Sequence, residues 1–120
     1  MKLSDKEWTV LEVLWKTKGN ELGEIVERLK NDTGWTRNTV HTYLTRMEAK
    51  GLVFIDKNEN PHIYKAAVSK NECQKSERKS FLHRVYNGSA GDMIAAFLKE
   101  EKITDEEREK LKKLLDNMEV

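Results

Sequence analysis

Residues 33–47 read TGWTRNTVHTYLTRM, with no acidic side chain in a chain where Asp and Glu supply 21 of 120 residues. Val40, Leu44 and Met47 recur at the spacing of one helix face, which predicts a helix over Thr36–Lys50. With that face turned inward, the opposite face presents hydrogen-bonding groups suited to base edges and phosphates in a major groove. These groups belong to Arg37, Asn38, His41, Thr42, Thr45 and Arg46. Thr36 and Thr39, at the start of the helix, are further candidates for contact with DNA. The alternative is an ordinary polar helix face that happens to lack acids.

The neighbouring segments favour the groove-reading interpretation. Capping signals and apolar spacing predict two earlier helices, at about Asp5–Lys18 and Leu22–Leu29. After the central helix, the β-branched and aromatic runs Leu52–Ile55 and Ile63–Tyr64 flank a polar turn, as in a two-stranded hairpin. Three helices followed by a hairpin within residues 1–68 are the plan of a winged helix. The expected fold class is therefore mainly α with a small β-hairpin.

The polar turn of the hairpin is a candidate wing. It would place its side chains beside the phosphate backbone or the minor groove. The alternative is a solvated turn, because it holds one certain cation, which Glu59 opposes. The side chains concerned are Lys57, Asn58, Asn60 and His62.

Residues 69–120 predict three more helices, at Lys70–Tyr86, Ala90 to about Glu101 and Asp105 to about Met118. A helix of about a dozen residues is marginal alone in water, so these helices need a packing partner. The simplest partner is the same region of a second chain, which makes residues 69–120 a dimerisation region. Its candidate interface residues are Phe81, Leu82, Val85, Tyr86, Met93, Ile94, Phe97, Leu98, Leu111, Leu114 and Leu115.

Composition narrows the function classes. Lys and Arg number 22, so the net charge is +1 and any nucleic-acid surface must be a local patch. One cysteine, Cys73, excludes an intramolecular disulfide and a multi-cysteine metal site. The three histidines have no acid pair or nucleophile at a catalytic spacing, so we expect no enzyme activity, no metal and no cofactor. The longest apolar run, Met93–Leu98, is too short to span a bilayer, and we expect a cytoplasmic protein without stable membrane association.

Three motifs resemble the BlaI/MecI penicillinase-repressor family of winged-helix regulators. They are LSDKEWTVLEVLW at 3–15, WTRNTVHTYLTRMEAKGLV at 35–53 and SFLHRVYNG at 80–88. The resemblance implies a repressor homodimer on palindromic TACA/TGTA operators of β-lactam resistance genes, held together by its C-terminal helices. It also implies relief of repression by cleavage that a membrane sensor-protease triggers. The recognition helix would be Thr36–Met47 and the wing Lys57–His62.

The sequence departs from the family pattern at two places. Thr36-Arg37-Asn38-Thr39 stands where members often have Ser-Pro-Lys-Thr, which displaces the basic residue by one position and changes the expected base preference. The stretch Asp92–Phe97 resembles the segment that members have cut before a Phe, which makes Ala96-Phe97 the candidate cleavage site, but Ala96 stands where those members have Asn. Trp35 either buries against the first helix or braces the backbone before the recognition helix. The alternative function is a winged-helix protein-interaction module that does not bind DNA.

Overall fold

The computed structural model describes residues 2–100 and 102–117. It confirms a winged helix followed by a helical C-terminal region. In chain order the elements are α1 (Asp5–Trp15), α2 (Leu22–Thr33), α3 (Arg37–Ala49), β1 (Val53–Asp56), β2 (Ile63–Ala66), α4 (Lys70–Tyr86), α5 (Ala90–Glu100) and α6 (Asp105–Asp116). The predicted helix ends at Glu101 and Met118 lie outside the described residues.

The chain divides into two compact units, Met1–Arg78 and Lys79–Val120. In the first unit, α1, α2 and α3 pack with the hairpin around one core. The functional division into a DNA-binding domain at 1–68 and a dimerisation region at 69–120 stays a prediction. The buried apolar side chains of this core are Val10, Leu11, Leu14, Ile25, Leu29, Val40, Leu44, Met47, Leu52, Val53 and Tyr64.

An ion pair links Lys50, at the end of α3, to Glu7, in the first turn of α1. Ser4 and Glu7 form the predicted capping box, with the Glu7 amide donating to Ser4 Oγ and the Ser4 amide donating to Glu7 Oε1. The Glu7 side chain is buried, and Lys50 Nζ donates to its Oε2 at 2.9 Å. Burial is the largest single influence and raises the pKa of Glu7, but the hydrogen bonds from Lys50 and Ser4 together lower it below its ordinary value.

Two helix boundaries differ from the prediction. The first helix ends at Trp15, three residues before the predicted Lys18, because the chain leaves it to pair with the hairpin. The Asn20 amide donates to the Tyr64 carbonyl at 3.1 Å, and the Tyr64 amide donates to the Asn20 carbonyl at 2.8 Å. The second helix continues past Leu29 and ends at Gly34, whose φ of 66° suits a left-handed glycine cap.

The hairpin is antiparallel, and its register pairs Val53 with Ala66 and Asp56 with Ile63. This register turns Val53 and Tyr64 into the core. Beyond the second strand, Trp15 Nε1 donates to the Val68 carbonyl at 2.8 Å, which secures the segment leading to α4.

The second unit comprises the end of α4 with α5 and α6. Asn87 and Gly88 both have positive φ, at 51° and 85°, and form the predicted break after α4. Thr104 and Glu107 form the predicted capping box of α6. None of the described residues of α5 and α6 is buried.

Candidate nucleic-acid interface

The third helix has a buried face and an exposed face. Val40, Leu44 and Met47 are fully buried and fix the rotation of the helix on the core. The first turn holds no acid. Of the residues predicted to contact DNA in this segment, Thr39 is half-buried and the others are exposed: Thr36, Arg37, Asn38, His41, Thr42, Thr45 and Arg46.

Threonine hydroxyls shape the start of α3. Thr36 is the N-cap, and its Oγ1 accepts a hydrogen bond from the Thr39 amide at 3.3 Å and donates to Thr39 Oγ1 at 3.1 Å. Thr42 Oγ1 donates to the Asn38 carbonyl at 2.9 Å. The Asn38 side-chain amide makes no hydrogen bond with the described residues. The Asn38 amide is therefore open to an external partner.

Trp35 contacts α3 through its ring. Its ring stacks on that of Tyr43, with centroids 4.6 Å apart and planes 6° from parallel. Trp35 is half-buried against the core, and its amide donates to Thr33 Oγ1 at 3.2 Å. Trp35 therefore packs on the core of the first unit and contacts the helix that follows it.

The wing presents all four predicted side chains to solvent: Lys57, Asn58, Asn60 and His62. The Asn58 amide donates to Asp56 Oδ1 at 3.1 Å, which closes the start of the turn. Lys57 Nζ lies 3.6 Å from Glu48 Oε2, on the last turn of α3. Sequence reasoning missed this acid, because the two residues meet only once the hairpin folds back on the helix.

A cavity of about 350 Å³ lies where the start of α2, the start of α3 and the end of the wing meet. It brings together three predicted DNA-binding residues, Arg37, His41 and His62. Tyr64, which sequence analysis assigned only to a strand, also lines it. No local signal could have found Tyr64, since three separate elements form this cavity.

The apolar residues predicted for dimerisation are all at least partly accessible in the second unit. Phe81, Val85, Ile94, Phe97, Leu98, Leu114 and Leu115 are exposed. Leu82, Tyr86, Met93 and Leu111 are half-buried. Phe81 and Tyr86 pack with ring centroids 6.0 Å apart, beside an apolar cavity of about 450 Å³. Ala96 and Phe97, the candidate cleavage site, both line that cavity.

The structure also bears on thiol reactivity, metal binding and membrane insertion. Cys73 is buried, and burial followed by the charge of Glu72 raises the pKa of its thiol, which disfavours a reactive thiolate. Within residues 2–100 and 102–117, no group of three or more His, Cys, Asp or Glu side chains could hold a metal ion. In the same described residues, no helix is long and apolar enough to cross a membrane.

Comparison with known proteins identifies the family. The family model described as penicillinase repressor matches residues 3–117. The chain belongs to the penicillinase repressor family. It is thus a member of a family of transcriptional repressors rather than of enzymes.

Curated relatives cover nearly the whole chain. The chain is 27% identical over 114 residues to the methicillin resistance regulatory protein MecI of Staphylococcus aureus (strain N315), covering 95% of this chain and 93% of that protein. It is 28% identical over 114 residues to the penicillinase repressor of Bacillus licheniformis, covering 95% and 89%. The penicillinase repressor of Staphylococcus aureus is 25% identical over 118 residues, with 98% and 94% covered. This penicillinase repressor homologue is therefore a BlaI/MecI-type transcriptional repressor over its full described length.

Proposed function

We propose that this repressor binds a palindromic operator as a homodimer, with α3 in the major groove and the hairpin turn beside the backbone. The observation that carries the proposal is the exposed face of α3, which has no acid from Arg37 to Met47, is rich in hydrogen-bonding groups and is fixed in rotation by three buried side chains. Glu48, on the last turn, is the one acid of the helix and pairs with Lys57 of the wing. A helix presented in this way, followed by a wing, suits the docking geometry of winged-helix proteins.

The side chains divide into two roles on chemical grounds. Asn38 carries an amide without a partner among the described residues and sits in the first turn of α3, which suits a bidentate contact with adenine. Arg37 and Arg46 bring full positive charges to the two ends of the exposed face, and Lys57 brings one from the wing. If these three cations contact phosphates in both subunits, the logarithm of the association constant for DNA should fall against the logarithm of the salt concentration with a slope of roughly −5.

A homodimer would present two recognition helices to the two half-sites of a palindromic operator. The exposed apolar side chains of the second unit include Phe97, Leu98, Leu114 and Leu115, and water disfavours such a group on a monomer. A second copy of the same unit would cover them with an isologous surface. Two linked recognition helices then bind two half-sites as one unit, which multiplies the affinity. The family resemblance makes TACA/TGTA dyads the expected operators. The names of the relatives, a methicillin resistance regulatory protein and a penicillinase repressor, support β-lactam resistance genes as the targets.

Relief of repression would follow from cutting the chain between Ala96 and Phe97. Such a cut separates the end of α5 and all of α6 from the DNA-binding unit. Much of the apolar interface would then no longer be covalently joined to the DNA-binding unit. The protein would therefore lose the avidity of a dimer. A membrane sensor-protease system is the expected trigger, on the strength of the family resemblance.

The test measures binding to a duplex that carries a TACA/TGTA dyad and to a duplex with the same bases scrambled. Asn38→Ala should cost about 1–3 kcal/mol on the dyad and much less on the scrambled duplex. Asn71→Ala is the matched control, because Asn71 is an equally exposed asparagine on α4. Equal losses on both duplexes would indicate that Asn38 contacts the DNA backbone and not a base. Wild-type affinities that do not distinguish the duplexes would contradict the proposed function.

A further inference from the structure

The cavity between α2, α3 and the wing gathers groups that recognise an anion. Arg37 and His41 lie one helical turn apart on α3 and both line it, while His62 enters from the other side, at the end of the hairpin turn. The cavity is about 350 Å³ and contains one certain cation and two imidazoles. It has room for a phosphate group, and its cation and imidazoles can hydrogen-bond to one.

Tyr64 also lines the cavity. Its ring is buried in the core, and its hydroxyl makes no hydrogen bond with any described residue but is not a buried unsatisfied group, so it is open to solvent. Burial is the main influence on the pKa of the Tyr64 hydroxyl and raises it. The positive charge of Arg37 lowers this pKa, and the negative charge of Glu48 raises it further. Tyr64 is therefore a neutral donor close to the Arg37 guanidinium. This solvent-accessible hydroxyl can donate a hydrogen bond to an acceptor that enters the cavity.

The first turn of α2 forms the remaining wall. A Cβ atom on Gly23 would lie 3.7 Å from Arg37 Nη1, so the guanidinium sits close over this turn. The N-cap residue, Glu21, makes no side-chain capping bond, which leaves the first amides of α2 without a side-chain acceptor. The Glu21 carboxylate also lines the cavity and opposes an anion there. Arg37, with the two imidazoles when they are protonated, outweighs this one acid.

Building on the proposed function, we propose that this cavity holds one phosphodiester group of the DNA backbone and that His41 and His62 take up protons as it binds. A neutral imidazole has one N–H donor, and an imidazolium has two and a positive charge. Charge-assisted hydrogen bonds to phosphate are roughly twice as strong as neutral ones. The arriving phosphate thus favours the protonated form of both side chains.

The sign of the pH dependence follows from the charges around the two imidazoles. In the protein without DNA, the charged side chains that share the cavity with the two imidazoles are Arg37 and Glu21, and Glu48 lies near Tyr64. A bound phosphate adds negative charge, so the complex holds more protons than its separate components. Affinity for DNA must then rise as the pH falls within the range in which histidine changes charge, about pH 5–8. Each proton fully taken up adds at most about tenfold in affinity per pH unit.

The experiment measures the dissociation constant between pH 8 and pH 6, at constant ionic strength, on the dyad duplex and on the scrambled duplex. We expect at least about tenfold tighter binding at pH 6 on both duplexes, because a backbone contact does not depend on sequence. Calorimetry in two buffers with different ionisation enthalpies counts the protons taken up. The double variant His41→Gln, His62→Gln should bind with a flat pH profile, whereas His83→Gln should behave as wild type, since His83 lies on α4 away from the cavity.

Tyr64→Phe tests the cavity without touching an imidazole. The variant keeps the buried ring and loses only the hydroxyl, so we expect a several-fold loss of affinity on both duplexes and an unchanged fold by circular dichroism. Unchanged affinity of Tyr64→Phe on both duplexes would place the phosphate elsewhere.

A second arm separates DNA from free phosphate. The imidazole resonances of His41 and His62 should shift on adding duplex and much less on adding inorganic phosphate at the same phosphate concentration. Shifts with inorganic phosphate alone would overturn the DNA assignment. A pH profile that the double variant leaves unchanged would overturn the proton uptake while the proposed function stands. Failure to bind either duplex at any pH would instead contradict the proposed function itself.

Discussion

Phe97 offers the sharpest test of how the chain dimerises. Its side chain is 53% exposed in the second unit, so about half of the roughly 200 Å² of an aromatic residue is available to a partner. Covering about 100 Å² at 25 cal/mol per Å² is worth about 2.5 kcal/mol. A symmetric interface contains the residue twice, so Phe97→Ala should weaken the dimer by about 4–5 kcal/mol. That corresponds to about three orders of magnitude in the dimer dissociation constant.

Phe54 is the matched control for this prediction. It is 55% exposed, almost the same fraction as Phe97, but it lies on β1 in the first unit. Sedimentation velocity over a concentration series should show that Phe97→Ala dissociates where wild type and Phe54→Ala remain dimeric. Equal dimer constants for all three proteins, or a larger effect at Phe54, would refute the assignment of the interface to the C-terminal helices.

Three further perturbations test other parts of the structure. Glu7→Gln should destabilise the fold by about 1–3 kcal/mol at pH 7 in urea unfolding. Because folding lowers the pKa of Glu7, that difference should disappear as the pH falls through the folded-state pKa, and a difference of the same size at pH 3 would contradict the ion-pair account. Glu48→Gln should release Lys57 and tighten DNA binding several-fold in a salt titration, whereas unchanged affinity would show that the pair does not restrain the wing. An engineered protease site between Ala96 and Phe97 should yield, once cut, a monomer with weak operator binding; intact dimerisation would exclude this segment as the switch.

Local signals predicted most of the fold. The capping boxes at Ser4 and Thr104 set the starts of α1 and α6, and the spacing of Val40 and Leu44 set the rotation of α3. These features depend on residues three or four positions apart, which a sequence displays directly. The exposed face of α3 was predictable for the same reason.

Contacts between distant segments were not predictable in this way. The first helix ends early because Asn20 pairs with Tyr64, 44 positions later in the chain. The restraint on Lys57 depends on Glu48, and the anion-binding cavity depends on three elements that meet only in the folded unit. Hydrophobic periodicity and capping motifs carry no information about contacts between distant segments. Only the structure therefore shows that Glu48 and Tyr64 belong to the candidate site.

Methylation interference at guanine N7 tests the central claim that α3 reads the major groove. Each TACA/TGTA half-site contains one guanine, whose N7 lies in the major groove. Methylated dyad duplexes would be mixed with the repressor, and bound and unbound fractions would be sequenced. If α3 occupies the groove, duplexes methylated at either half-site guanine should be depleted from the bound fraction. Equal methylation in the bound and unbound fractions would show that the helix does not enter the major groove.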